Sequence, residues 1–189
     1  QVFGFSNFVW NSELSLAIAR RIKERSPKTV IVMGGPNYPL TKEKQELFLQ
    51  QHSEIDFYVL HEGEVAFLNI IKALSEKGMD LKKLGGTLPS VQSLDNNGKI
   101  IINPQSAVRV RNLDEIPSPY LTGKFDKFFD GRLWPLVQTK RGCPFKCTFC
   151  TEGLDYYDNI SRFSVNTIRS EVEYIGRKME KVRALGGRN

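Results

Sequence analysis

Thr29-Val30-Ile31-Val32-Met33-Gly34-Gly35-Pro36 is the stretch on which the fold class turns. Four of its residues in a row, Val30 to Met33, are apolar, and the run stops abruptly at two glycines and a proline. A strand with one wet face alternates apolar and polar side chains, so an unbroken run predicts a strand covered on both faces. Working outward, Val2-Phe3-Gly4-Phe5 is a shorter run of the same kind, and Ile55-Asp56-Phe57-Tyr58-Val59-Leu60 is a third. The segments between them have helical periodicity. The first has Ser12 as a candidate N-cap, with Leu14, Ile18 and Ile22 on one face and Pro27 as its stop. The second lies between Thr41 and Gln51. A further helix over Glu64 to Lys77 directs Phe67, Ile70, Ile71 and Leu74 inward. Strands alternating with helices predict βαβ units on a parallel sheet, an α/β domain over residues 1–84.

Residues 85–119 have a different texture. Leu88 to Leu94 and Lys99 to Ile102 flank Asp95-Asn96-Asn97-Gly98, the signature of a β-hairpin. Ile116-Pro117-Ser118-Pro119 then fixes an extended connection, so 85–119 is expected to be a hairpin and proline-rich linker between domains. In residues 120–189, Trp134 to Thr139 is expected to form a strand. Ser164 or Asn166 is expected to cap a last helix, whose Ile168, Val172, Ile175, Met179 and Val182 make an apolar stripe expected to face a core, with Gly186 as its stop.

The chain of 189 residues carries a net charge of +6, which raises the question of nucleic acid. Residues 131–189 hold 11 Lys and Arg against 6 Asp and Glu, so nearly all the excess is local and forms no basic stripe along the chain. Solvated helix faces account for it, and nucleic acid is not expected as a partner. No run approaches the roughly 18 apolar residues of a membrane span, and the first residues lack a secretory signal pattern. A cytoplasmic protein with no membrane partner is expected. The start at Gln1, inside a strand-like run, suggests a piece of a longer protein.

All three cysteines, Cys143, Cys147 and Cys150, fall in the eight residues from 143 to 150. Odd in number and clustered, they do not read as a secreted disulfide framework. Four readings remain. A Cys147/Cys150 redox pair would leave Cys143 idle. Structural zinc needs a fourth ligand, and the only histidines, His52 and His61, are far upstream. Buried structural thiols fit poorly among Lys146, Thr148, Gly142 and Pro144. An iron–sulfur cluster suits thiolate donors, and three thiolates on a cluster of four irons leave one iron open for a substrate or cofactor.

The arrangement Cys143-x-x-x-Cys147-x-x-Cys150, with Phe149 before the last cysteine, resembles the signature of the radical S-adenosylmethionine (radical SAM) enzymes. The resemblance implies that the three cysteines hold a 4Fe-4S cluster and that its open iron chelates S-adenosylmethionine. The reduced cluster then cleaves that molecule to a radical that abstracts hydrogen from a substrate. It also implies that Phe149 lies near the adenine, and that a reductive electron donor such as flavodoxin or ferredoxin is a partner. Lys140, Arg141 and Lys146 are candidates to offset the cluster's negative charge.

Upstream, Ser6-Asn7-Phe8, Gly34-Gly35-Pro36 and His61-Glu62-Gly63-Glu64 all follow strands, at the end where open α/β sheets bind ligands. The series resembles the cobalamin-binding domain of one radical SAM branch, which implies that Ser6, Gly34 and Gly35 line a pocket for the cobalamin tail. That branch usually has glycine where this chain has His61. The expected architecture is thus a partial Rossmann-like sheet of the cobalamin-binding type, a hairpin linker, and the first strand, loop and helix of a partial βα (TIM-like) barrel. Cobalamin-dependent methyl transfer is the expected activity, with catalytic residues and substrate unassigned and with 1–189 incomplete as a catalyst. The alternative is a non-catalytic cobalamin- or metal-binding sensor or scaffold.

Overall fold

The computed structural model describes residues 1–77, 84–105 and 109–184. Gly186, the expected helix stop, lies outside them. The chain divides into two compact units, Gln1–Arg109 and Val110–Asn189.

In the first unit β1 (Val2–Ser6), β2 (Val30–Gly34) and β3 (Phe57–Val59) run parallel in that order, with Val32 opposite Gly4 on one side and Phe57 on the other. Helices α1 (Ser12–Arg25) and α2 (Lys42–Gln51) connect them, and α3 (Gly63–Lys77) follows β3. The expected double coverage of β2 is observed. Val30 and Val32 pack with Phe57, Val59 and the α3 residues Ala66, Ile70 and Leu74. On the other face Met33 and Tyr58 pack with Leu16 of α1 and Leu49 of α2. Alternate residues of one strand therefore feed two cores.

The hairpin is present but does not stand apart from this sheet. Its strands are β4 (Val91–Leu94) and β5 (Ile100–Ile102), and β4 pairs antiparallel with β3, placing Tyr58 opposite Gln92. The result is a mixed five-stranded sheet in the order β1-β2-β3-β4-β5, rather than a parallel sheet followed by a linker. Pairing is favoured because an unpaired β3 edge would leave ladder groups without partners.

The face of α1 differs from the expected one. Ser15, Leu16 and Ala19 are buried, while Leu14 and Ile18 are exposed. Small side chains let the helix approach the sheet closely, and the Ser15 hydroxyl donates to the Ser6 carbonyl at 3.0 Å. The Ser15 side of the helix thus faces the sheet, and Leu14 and Ile18 lie on the outward side. The cap is Asn11 rather than Ser12.

The second unit holds a short antiparallel pair, β6 (Lys140–Arg141) with β7 (Ser161–Arg162), and the helix α4 (Val165–Ala184). Ser164 caps α4 through its hydroxyl, which accepts from the Thr167 amide at 3.1 Å. The expected strand over 134–139 is not formed; only its continuation at β6 pairs. The Tyr120 hydroxyl supplies the reason: it accepts from the Leu136 amide and donates to the Leu136 carbonyl, both at 3.0 Å. Both ladder groups at the middle of the run are thereby taken. The α4 stripe is at most half-buried, and Val172 is exposed. No helix among the described residues is long and apolar enough to cross a membrane.

Candidate functional site

In the first unit, the ends of β1 and β2 bring Ser6 opposite Gly34, with Gly35 next in line. The sequence grouping of Ser6, Gly34 and Gly35 is therefore spatial as well. The reason for each glycine is visible in its neighbours. Gly35 has φ +131°, and a Cβ there would lie 2.5 Å from the Asn7 carbonyl oxygen and 2.9 Å from its nitrogen. A Cβ at Gly34 would lie 3.2 Å from the Val59 carbonyl. Chain segments already use the room that a missing side chain provides, so the glycine pair does not by itself form an open cradle for a nucleotide tail. Ser6 is exposed, and its hydroxyl accepts from Asn11 Nδ2 at 2.7 Å.

Beneath these turns lies a polar network that the sequence did not announce. Asn7 is fully buried, and its Nδ2 donates to the Asn37 carbonyl at 2.6 Å and to the Tyr58 hydroxyl at 3.1 Å. Tyr58 donates to the Gly35 carbonyl at 2.9 Å. Tyr38 stacks on Tyr58 with centroids 3.6 Å apart and donates to Gln92 Oε1 at 2.8 Å. Burial pushes both phenols well above the usual tyrosine range, with the Tyr38–Tyr58 proximity adding to the rise at Tyr38 and the Asn7 bond opposing it at Tyr58. The polar atoms are paired, which is what makes their burial tolerable. His61, after β3, sits at φ 62°, a region that favours glycine. Burial lowers its pKa and the Glu62 carboxylate opposes the change.

In the second unit the cysteine loop leaves β6 through Gly142, whose φ of 98° is one that glycine alone adopts readily. None of the cysteines is in a disulfide; Cys143 is half-buried, and Cys147 and Cys150 are exposed. The Cys143 amide donates to the Tyr157 carbonyl at 2.8 Å, and the Cys150 amide donates to the Cys147 carbonyl at 3.1 Å, closing a turn over Cys-Thr-Phe-Cys. Among the described residues no three His, Cys, Asp or Glu side chains converge as a metal site, so the thiols share a loop without being drawn onto one point. Phe149 points into solvent at 92% exposure.

The donor set fits an iron–sulfur cluster chemically: three free, accessible thiols on one loop, with a backbone shape that does not depend on cross-links. One expectation changes. Lys146 is not an uncommitted cation beside the cysteines, because its ammonium lies 2.6 Å from Asp155 and 3.5 Å from Asp158. The hydrogen bond to Asp155 raises the Lys146 pKa and lowers that of Asp155. Periodicity and motif spacing could not reveal this pairing, since it runs through a turn whose path depends on tertiary contacts.

No model of a known protein family matches the chain. It is similar to TokK of Streptomyces tokunonensis, a cobalamin-dependent radical SAM methyltransferase, with 29% identity over 182 residues that cover 93% of this chain and 25% of that protein. It is 31% identical over 179 residues to the 2-(S-pantetheinyl)-carbapenam-3-carboxylate methyltransferase of Streptantibioticus cattleyicolor, covering 92% of this chain and 25% of the relative. An uncharacterised methyltransferase of Pyrococcus horikoshii shares 34% identity over 160 residues, 84% of this chain and 33% of its own. The chain thus spans a quarter to a third of the length of these curated relatives.

Proposed function

Because the chain is a relative of the radical SAM proteins of the cobalamin-associated branch, we propose that it carries the cluster loop and an adjoining α/β domain of a radical SAM methyltransferase. The observation that carries this is the set of three free cysteines on the loop between β6 and β7, in a chain whose similarity to such methyltransferases extends over 93% of its length. Cys143, Cys147 and Cys150 would hold a 4Fe-4S cluster, which would supply a single electron for reductive cleavage of S-adenosylmethionine. The chain's own part is to present the three thiolates. Gly142 turns the backbone out of β6, the Cys143 amide is held by Tyr157, and the Cys147–Cys150 turn fixes the spacing of the last two ligands. Phe149, exposed beside Cys150, offers an apolar ring to the adenine.

Cobalamin dependence is the finer part of the proposal. Its support is the description of TokK and the exposed Ser6 at the C-terminal edge of the sheet. Gly34 and Gly35 add no support of their own, since the room at each is used by Val59 and Asn7. The electron donor would be a small reductive protein such as a flavodoxin or ferredoxin.

The test is anaerobic iron–sulfur reconstitution of the full-length protein, followed by EPR of the dithionite-reduced sample with and without S-adenosylmethionine. A 4Fe-4S signal that shifts with S-adenosylmethionine and vanishes when all three cysteines become alanine is expected. A signal indifferent to those substitutions would refute the assignment. Corrinoid content after reconstitution tests the cobalamin part separately.

A further inference from the structure

The eight residues after the last cysteine form a scaffold for the cluster loop. The turn Thr151–Gly153 follows Cys150 directly, and the Gly153 amide donates to the Cys150 carbonyl at 2.9 Å. This brings Gly153 against Cys147 so closely that a Cβ there would overlap the Cys147 carbonyl oxygen and lie 3.1 Å from its nitrogen and 3.2 Å from its carbonyl carbon. These are backbone atoms, so they cannot yield as a flexible side-chain tip would. The same carbonyl accepts the Cys150 amide, so a displaced Cys147 would carry Cys150 with it. From the other side Lys146, adjacent to Cys147, reaches Asp155 and Asp158. Further along, Tyr157 holds the Cys143 amide. Each cysteine thus has a main-chain tie to this segment or to another cysteine that the segment fixes.

We infer that Gly153 and the Lys146–Asp155 pair are positioning residues for the cluster ligands: Gly153 leaves the room in which the Cys147 backbone sits, and the ion pair ties that backbone to the segment 151–158. This rests on the reading of the three cysteines as cluster ligands. The exposed ion pair is weak as a source of stability, because water screens it. Its effect is on where the loop lies and on local charge, since the two carboxylates more than neutralise the cation nearest Cys147. Residues that orient ligands without touching the metal change metal retention about 10- to 100-fold when replaced.

The experiment uses the full-length protein, reconstituted anaerobically, in six forms: unaltered, Gly153→Ala, Asp155→Lys, the exchange Lys146→Asp/Asp155→Lys, the triple cysteine-to-alanine variant, and Gly176→Ala. The last is the control, because a Cβ at Gly176 meets nothing within 4 Å. Iron and sulfide per chain, the EPR spectrum of the reduced protein and the rate of cluster loss to a chelator are read beside far-UV circular dichroism. Gly153→Ala is expected to lose its cluster about 10- to 100-fold faster with an altered EPR spectrum and unchanged circular dichroism. Asp155→Lys is expected to lose it faster and the exchange variant to recover. Gly176→Ala is expected to match the unaltered protein.

Gly153→Ala with unaltered retention and spectrum would overturn the inference while leaving the cluster assignment in place. Failure of the unaltered protein to take up a cysteine-dependent cluster would overturn both. If Gly153→Ala does not fold, the charge exchange decides: no recovery relative to Asp155→Lys overturns the role of the pair.

Discussion

The two units hold themselves together by different means. Among the described residues, every apolar side chain counted as buried lies in the first unit except Leu113 and Tyr120. There β2 and β3 are covered on both faces, and burial of their side chains is the stabilising contribution that outweighs chain entropy. In the second unit, Trp134, Leu136, Phe145 and Phe149 are all exposed, and Glu171 is the one residue of α4 counted as buried. Its order comes from local bonds instead: the Tyr120 clamp on Leu136, the Ser164 cap, the backbone ties of the cysteine loop, and Asp126 accepting from Tyr174 and Lys178. A framework of this kind specifies shape but contributes little free energy, since hydrogen bonds exchange with water at a small net gain. The difference leaves the first unit stable through its core, while the three cysteines of the second stay on a loop that is open to solvent at Cys147 and Cys150.

The sharpest way to break this contrast is to remove one side chain from each unit. Phe57 is fully buried, and Phe57→Ala is expected to cost about 3–5 kcal/mol. Val172→Ala, at a position 54% exposed, is expected to cost less than about 0.5 kcal/mol. Urea unfolding with amide exchange resolved by unit is the measurement, and similar costs at the two sites would end the argument. The next effect in size is Gly35→Ala. It combines a backbone angle that L residues rarely adopt with a Cβ 2.5 Å from the Asn7 carbonyl, and a loss of about 2–4 kcal/mol is expected. A near-neutral result would mean that Asn7 has room to move and that the glycine serves something else, such as a bound cofactor.

What could be read in the sequence follows the same division. Strands β2 and β3 are legible because their apolar runs record burial directly, whereas β1, none of whose residues is buried, and the hairpin are legible from composition and turn residues; α2 and α3 fall within a residue or two of their expected bounds. The face of α1 is not legible, because Ser15 and Ala19 reach the sheet by being small and Leu14 and Ile18 do not. Trp134 to Thr139 has the composition of a strand, yet it forms none, and one tyrosine hydroxyl sixteen residues away takes both backbone groups of Leu136. Likewise the clustering of the three cysteines is plain in the sequence, and the structure adds that none of them is in a disulfide. The close approach of Gly153 to Cys147 exists only through space and leaves no trace in spacing.

Alkaline pH sharpens the contrast from the side of the first unit. The folded pKa values of Tyr38 and Tyr58 are raised above the unfolded value near 10, so both phenols stay protonated in the native state while the unfolded chain releases their protons. Stability from this source is complete below about pH 10 and is lost as pH rises beyond it, by about 1.4 kcal/mol per pH unit for each phenol. Tyr58→Phe is expected to lower stability at neutral pH, since Asn7 Nδ2 and the Gly35 carbonyl lose a partner, but to halve the alkaline slope between pH 10 and 11. Urea unfolding at the two pH values provides the comparison. An unchanged slope would show that the paired tyrosines titrate as exposed ones do.

The smallest expected effect is at His61, where the first unit departs from its own economy. Its φ of 62° costs a side chain about 1–2 kcal/mol, and glycine there avoids the clash while losing part of the gain to unfolded-state entropy. His61→Gly is therefore expected to stabilise by about 0.5–1 kcal/mol at pH 8, a rise in Tm of about 1–4 °C for a chain of this size. Burial holds the folded His61 pKa below the unfolded value of about 6.5, so the unfolded chain takes up the proton first as pH falls. The histidine's own contribution is thus largest above pH 6.5 and declines below it, and the advantage of glycine should widen between pH 8 and pH 5. Thermal unfolding at both pH values is the measurement. A loss of stability on substitution would mean that the contacts of the His61 ring outweigh the strain of its backbone, making the residue at the end of β3 a deliberate side chain at the same edge of the sheet as Ser6 and Gly34.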